Sequence, residues 1–179
     1  MVSAQRFTDE EREDKLNQIV QEHGNAILRH CLLLLHDASS AEDAAQDSLI
    51  KIYRKLNSYR EEGSEKAWIM RIVTNTCRDY YRTAWMRHID QQASLDELLQ
   101  SQAFYDSEQQ TNAKNQEVMK AVMSLKKPLQ EVILLRYYQE MKISEIAHVL
   151  HLSEAGVKKR LRNALDRLRP ELREVFFDE

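Results

Sequence analysis

The feature that most constrains this chain is its shortage of turn residues. Only three Gly and two Pro occur in 179 residues. Many short strands joined by tight turns need more of both, which argues against an all-β sandwich or barrel. With no glycine-rich phosphate loop, a Rossmann domain or P-loop is ruled out more firmly. Apolar residues instead recur at the helical period. Leu16, Ile19, Val20, His23, Ile27, Cys31 and Leu35 predict a helix from about Glu10 to His36. Asp37 to Ser40 breaks the pattern, and Ser39 with Glu42 has the capping-box spacing of a second helix. Ala45, Leu49, Ile52, Tyr53 and Leu56 are that helix's apolar positions. Ser58 to Gly63 reads as a loop. Ser64 reads as the cap of a third helix with Trp68, Ile69, Ile72, Val73, Thr76 and Tyr80 along its apolar side. These helices form one N-terminal bundle over residues 1–88.

Residues 89–113 are rich in Gln, Ser, Asp and Asn and read as a flexible linker, with a short helical turn expected near Leu95, Leu98 and Leu99. A second helical unit occupies residues 114–179. Its stripe Val118, Val122, Leu125 stops near Pro128, and Val132, Ile133, Leu135, Arg136 and Tyr137 mark another helix. Ile143, Ile146, Ala147 and Leu150 follow the i, i+3, i+4, i+7 rule. His151-Leu152-Ser153 is a turn, and Ser153 can cap a last helix with Val157, Leu161 and Leu165 packed inward. The expected fold class is all-α, two helical domains joined by a linker.

A net charge of −3 conceals its distribution. Lys51 to His88 holds nine Lys and Arg against four Asp and Glu, and Lys142 to Arg169 holds seven against three. Between them, Ile89 to Ala113 holds five acidic residues and no Lys or Arg. The two basic blocks are suited to phosphate contacts, or are simply solvated helix faces. The negative total argues against tight, autonomous, nonspecific DNA binding. No apolar run approaches a membrane span and the N-terminus lacks an apolar signal segment, so a cytoplasmic protein without membrane insertion is expected. Cys31 and Cys77 lack CxxC spacing and read as reduced thiols. No cofactor motif is present.

Ile143 to Leu168 has the layout of a helix-turn-helix: a short helix, a tight turn, a longer helix. On the longer one, Lys158, Lys159, Arg162 and Asn163 face outward in the half that meets base edges in a major groove. Arg reads guanine, Asn reads adenine and Lys neutralises phosphate. An ordinary amphipathic helix pair with a basic outer face is the alternative.

The sequence resembles the bacterial sigma factors of the extracytoplasmic-function class. Leu125 to Tyr138 is similar to the family's lead-in to its C-terminal helix-turn-helix, and Ile143 to Ala147 with Val157 to Leu161 matches the motif itself. Ala41 to Asp47 resembles the signature ahead of the polymerase-binding helix. Ala67 to Asn75 resembles the segment that reads and opens the minus-ten element. The match runs in the family's order from about Ala26 to Arg169.

The resemblance implies core RNA polymerase and promoter DNA as partners, and an anti-sigma factor that covers both domains. It implies that Asp43, Gln46, Asp47, Ile50, Tyr53 and Arg54 dock on the polymerase. Tyr59, Lys66, Trp68, Arg71, Asn75, Arg78, Asp79 and Arg82 would handle the minus-ten element, where an unpaired base needs aromatic and polar groups beside a basic groove. Lys158, Lys159, Arg160, Arg162, Asn163 and Arg167 would read the minus-thirty-five element. The chain departs from the family's pattern at Gly63 and Glu65, where Ser and an aromatic are common, and at Asn163 and Leu165, where Arg is common. The acidic linker would thread polymerase channels that otherwise hold nucleic acid.

Two other classes fit less of the chain. A helical metal-dependent phosphohydrolase would use His23, His30, His36, Asp37 and Asp79, with His23 and His30 on one face, but a matching second pair is missing. A free-standing helix-turn-helix regulator accounts for the C-terminal half alone.

Overall fold

The computed structural model describes residues 7–59, 63–86 and 113–177. Among them no strand occurs. Helix α1 spans Asp9–Leu35, α2 Ala38–Lys55 and α3 Glu65–Met86. The C-terminal half contains α4, Ala113–Ser124, and α5, Lys127–Ile133, which runs into a π-helical turn over Leu134–Tyr138. Helices α6, Ile143–Leu150, and α7, Glu154–Phe177, complete it. Residues 89–112, where the sequence places the linker and its helical turn, lie outside the described residues.

Local chemistry fixes the ends of these helices. At α1 the Thr8 hydroxyl accepts from the Glu11 amide at 3.2 Å, and the Glu11 carboxylate accepts from the Thr8 amide at 2.7 Å. Both first-turn donors are thereby satisfied. His36 ends the helix in the left-handed region, φ 58°. The cap of α2 is Asp37, not Ser39: its carboxylate accepts from the Ser40 amide at 2.8 Å. Asp37 has the extended backbone a cap requires, whereas Ser39 already lies inside the first turn. Ser64 and Ser153 cap α3 and α7 as expected, accepting from Ala67 at 3.3 Å and Gly156 at 3.0 Å. Pro128 sits in the first turn of α5, where its missing N–H costs nothing, so it starts a helix rather than merely stopping one.

Helices α1, α2 and α3 close over Ile19, Ile27, Leu34, Ile52, Ile69, Met70 and Val73, all fully buried. Cys31 and Cys77 do not stand alone, because their Sγ atoms lie 3.5 Å apart inside this core. The Cys31 contact first, and burial second, hold the Cys77 thiol well above its usual range. The C-terminal unit packs around Leu134, Leu135, Ile146, Val149 and Val157. On α7 the inward row continues through Leu161, Ala164 and Leu168, whereas Leu165 is 38 % exposed. The expectation of an inward Leu165 is corrected by helix geometry. At 3.6 residues per turn a strict i, i+4 row drifts off the face, and position 164 returns to it.

The two units do not stand apart. The C-terminal half lies against α1 and α3, so that buried side chains from both halves form one continuous core cluster.

Candidate polymerase and nucleic-acid interfaces

Helix α2 presents Asp43, Gln46, Ile50 and Arg54 to solvent. Ile50 is 48 % exposed, an uncovered apolar side chain among polar neighbours. Asp47 and Tyr53 are half-buried and already engaged. Asp47 accepts from the Tyr80 hydroxyl at 2.7 Å, and the Arg12 guanidinium lies over the Tyr53 ring at 4.8 Å. Burial, followed by the Asp47 contact, pushes the Tyr80 hydroxyl above its usual value. The face thus combines a free apolar anchor with a polar rim.

Helix α3 carries all but Tyr59 of the residues expected at the minus-ten element, and they divide in two. At its start Trp68 is half-buried, and its ring lies 4.8 Å from that of Tyr59 at 43°. Trp68 therefore packs against the core and meets the loop at once. Asp79 and Arg82 are exposed and pair with each other at 2.5 Å. The remaining cations turn toward the C-terminal unit. Lys66 Nζ donates to the Gln139 carbonyl at 2.6 Å. Arg71 Nη1 lies 3.5 Å from His148 Nε2. Arg78 grips Glu131 with a fork, Nε to Oε1 at 2.8 Å and Nη2 to Oε2 at 2.7 Å. Tyr81 donates to the same carboxylate at 2.7 Å. Asn75 lies beside the fork, 3.5 Å from Arg78 Nη1.

Electrostatics agree with this geometry. The Glu131 side chain is only 2 % exposed, and its hydrogen bond and charge hold the Arg78 guanidinium above its ordinary value. Burial first, then Glu131, raises the Tyr81 hydroxyl.

Helix α7 is different. Lys158, Lys159, Arg162, Asn163 and Arg167 are all exposed, while Arg160 is half-buried at the edge. Asn163 and Arg167 border an open cleft with Leu129 and Asp166. The positive row faces outward along one side of the second helix of the helix-turn-helix.

Sequence reasoning missed the residues that join the halves: Lys127, Gln130, Glu131, Gln139 and His148. Gln130 Nε2 donates to the Leu33 carbonyl at 2.8 Å and lies 2.9 Å from His36 Nε2. Lys127 Nζ donates to the Leu34 carbonyl, and Gln139 Nε2 to that of Ala26 at 3.3 Å. One signal was available. Gln130 and Glu131 adjoin Val132 and Ile133, and all four are buried, so two polar residues sit where burial demands partners.

Among the described residues the histidines do not converge on one ligand set. His30 Nε2 lies 3.0 Å from the Thr74 hydroxyl in the core, and burial pushes it down to about 4. His23 lies with Glu22 and Glu65, three groups close enough to share a cation, but Lys15 Nζ already sits 2.6 Å from Glu65. His36 faces Gln130, and Asp37 is spent on its cap.

Comparison with known proteins gives this arrangement a class. Residues 19–87 match the family model of sigma-70 region 2, and residues 115–168 that of sigma-70 region 4. The RNA polymerase sigma-E factor of Streptomyces antibioticus is 30% identical over 158 residues, covering 88% of this chain and 84% of that protein. The ECF RNA polymerase sigma factor SigM of Bacillus subtilis (strain 168) is 26% identical over 158 residues, covering 86% of this chain and 93% of that one. Among solved structures, the sigma factor RpoE of Bartonella quintana, crystallised with the anti-sigma factor NepR, aligns with a TM-score of 0.69. It is 23% identical, and the alignment covers 92% of this chain and 99% of that one. The chain belongs to the sigma-70 family of RNA polymerase sigma factors, in its extracytoplasmic-function class. As an alternative sigma factor it directs core RNA polymerase to a particular set of promoters.

Proposed function

We propose that the three interfaces divide the work of initiation. The exposed face of α2, with Ile50 at its centre and Asp43, Gln46, Asp47, Tyr53 and Arg54 around it, docks on core polymerase. Helix α3 and the loop after Tyr59 handle the minus-ten element, with Trp68 and Tyr59 offering rings beside the cations of Lys66, Arg71, Arg78 and Arg82. Helix α7 reads the minus-thirty-five element with Arg162 and Asn163 while Lys158, Lys159, Arg160 and Arg167 contact phosphate. The protein performs no catalysis of its own, works in the cytoplasm and is held inactive by an anti-sigma factor. Among the described residues no helix is long and apolar enough to cross a membrane.

The observation that carries this division is the solvent-facing row Lys158, Lys159, Arg162, Asn163 and Arg167 on the second helix of a helix-turn-helix. The test is to add the purified protein to sigma-free core polymerase and sequence the transcripts made from fragmented genomic DNA. Discrete start sites sharing two spaced motifs are expected. A folded, inhibitor-free sample that gives none would favour a free-standing regulator instead. In the same assay Trp68→Ala is expected to lower open-complex formation about tenfold, the scale of one lost base stack, while core binding persists. Loss of core binding together with helicity would make Trp68 purely structural.

A further inference from the structure

Three side chains of metal-ligand type, none of them used by the interfaces above, meet where α1 passes the first turn of α3. His23 Nε2 lies 3.9 Å from Glu22 Oε2 and 3.8 Å from Glu65 Oε1. One ligand atom from each residue can be chosen so that all three lie within 4.8 Å of one another. A tetrahedral ion with bonds of about 2.0 to 2.1 Å sets its ligand atoms about 3.4 Å apart. The two His23 separations exceed that by about half an ångström, within reach of small side-chain rotations.

The carboxylates are aimed as well as near. Lys15 Nζ holds the other oxygen of Glu65, Oε2, at 2.6 Å. Gln18 Nε2 donates to the other oxygen of Glu22, Oε1, at 2.9 Å. Lys15 Nζ also donates to Gln18 Oε1 at 3.4 Å. Lys15, Gln18 and Glu22 follow one another along a single face of α1. Each carboxylate therefore has its outer oxygen taken by a donor and its inner oxygen turned to the imidazole. Donors behind the ligands are how a metal site orients them. Lys15 thus competes for one oxygen of Glu65 and leaves the other free to bind. Two carboxylates face one ammonium, so negative charge remains for a cation to neutralise.

The donor set selects the ion. One imidazole nitrogen and two carboxylate oxygens, with no sulfur, suit zinc and its substitute cobalt better than calcium, magnesium or a thiophilic ion. We infer that Glu22, His23 and Glu65 form a binding site for a divalent transition metal of the zinc type, which ties α1 to the first turn of α3. Water completes the coordination. The ligands come from two helices, so the site exists only in the folded bundle, and the ion stabilises that bundle.

The experiment uses the full chain, without a polyhistidine tag, stripped by a chelator and kept under a non-thiol reductant. Zinc chloride is titrated at about pH 7.5, where imidazole is a competent ligand, and calorimetry reads the binding. One ion per chain is expected. Cobalt chloride should give visible d–d bands without the strong charge-transfer absorption of a thiolate site. At a hundredfold excess over the dissociation constant, zinc should raise the unfolding temperature by about 5 to 10 °C. His23→Gln should weaken binding about a hundredfold or more and remove the thermal shift. Gln18→Ala touches no ion in this arrangement. It should weaken binding about tenfold while the metal-free chain unfolds at its usual temperature.

If His23→Gln folds poorly, as circular dichroism would show, Glu22→Gln at an exposed position replaces it and should lose most of the affinity. An absence of saturable zinc binding overturns the inference. So does binding that persists in the folded ligand variant, or a thiolate band with cobalt, which would place the ion on Cys31 and Cys77. Binding with no thermal shift overturns it as well, because an ion held equally by the unfolded chain does not bridge two helices.

Discussion

Helices α3 and α7 each carry a row of cations, and among the described residues it is α3 that finds counter-groups in the opposite half of the chain. Arg78 is paired with a carboxylate that is 2 % exposed, whereas among the described residues the ion pair on α7 is Asp166 with Arg169, at 3.4 Å on the surface. An exposed pair of that kind contributes little to stability, and its cation stays available. A buried fork must be given up before its guanidinium can bind anything else. Two basic stretches of similar composition thus differ in state: the cations of one face solvent, and those of the other are held by counter-groups. Charge counted along a sequence measures capacity for phosphate; the partner already in place decides when that capacity is released.

The sharpest way to break this contrast is through α7. Lys158→Ala with Arg162→Ala removes two outward cations and no internal partner. Affinity for a duplex carrying the upstream motif should fall by about one to two orders of magnitude, and the salt slope should flatten by roughly two. Titration against salt checks both. The loss should be the same in wild-type and Glu131→Gln backgrounds, because the cations of α7 take no part in the Glu131 contact. A loss confined to the Glu131→Gln background would mean that α7 is covered while that contact holds.

A smaller effect is expected from pH, and it acts on the closure of the two halves against each other. His36 is pushed down to about 4 by burial first and the Lys127 cation second, against a Leu33 contact that raises it. Its pKa in the closed chain is therefore below its ordinary value near 6.5. Closure is fully favoured above that ordinary value and is lost as pH falls toward about 4, because the open form takes the proton first. At about pH 5.5 this one group should raise the open-to-closed ratio roughly tenfold. Lys127, pushed down to about 8 by burial, has the same sign in the alkaline range: closure strengthens as pH rises from about 8 toward 10.5. The exposed His151 is lowered by Arg71 first, so it too opposes closure in acid. Scattering measured from pH 7.5 to about 5 should show the chain expanding, and His36→Gln should shrink that response. Duplex binding by α7 should not follow the same curve. A wild-type chain that stays compact throughout would show that His36 is not uncovered when the halves part.

Much of this architecture was legible in the sequence, and the exceptions have physical causes. The helices announced themselves because their apolar spacing and their caps Ser64 and Ser153 are local features. Asp37 rather than Ser39 caps α2 because the cap is set by backbone geometry, extended at Asp37 and helical at Ser39, which residue spacing does not report. The outward row of α7 was legible because it is one face of one helix. The seam between the halves was not. Glu131 and Arg78 are 53 residues apart, and Gln130 and Leu33 are 97 apart. No periodicity within either half reports such a pairing. Nor did the lack of CxxC spacing reveal that Cys31 and Cys77 meet across α1 and α3.

The smallest effect concerns Leu165, which an i, i+4 row points inward and the fold turns outward. It lies between Asn163 and Arg167, two residues on the open face, and is 38 % exposed. Leu165→Lys should therefore change stability by no more than about 0.5 kcal/mol, as for an ordinary surface substitution. Leu168→Ala, at a side chain 3 % exposed, should cost about 2 to 5 kcal/mol through a cavity beneath α7. Thermal unfolding of the two variants compares these directly. The added lysine extends the cationic row, so duplex affinity should rise severalfold at low salt and converge on wild type as salt screens the new charge. A destabilisation as large as that of Leu168→Ala would place Leu165 in the core after all. It would also remove the geometric reason for treating the whole outward side of α7 as free to meet DNA.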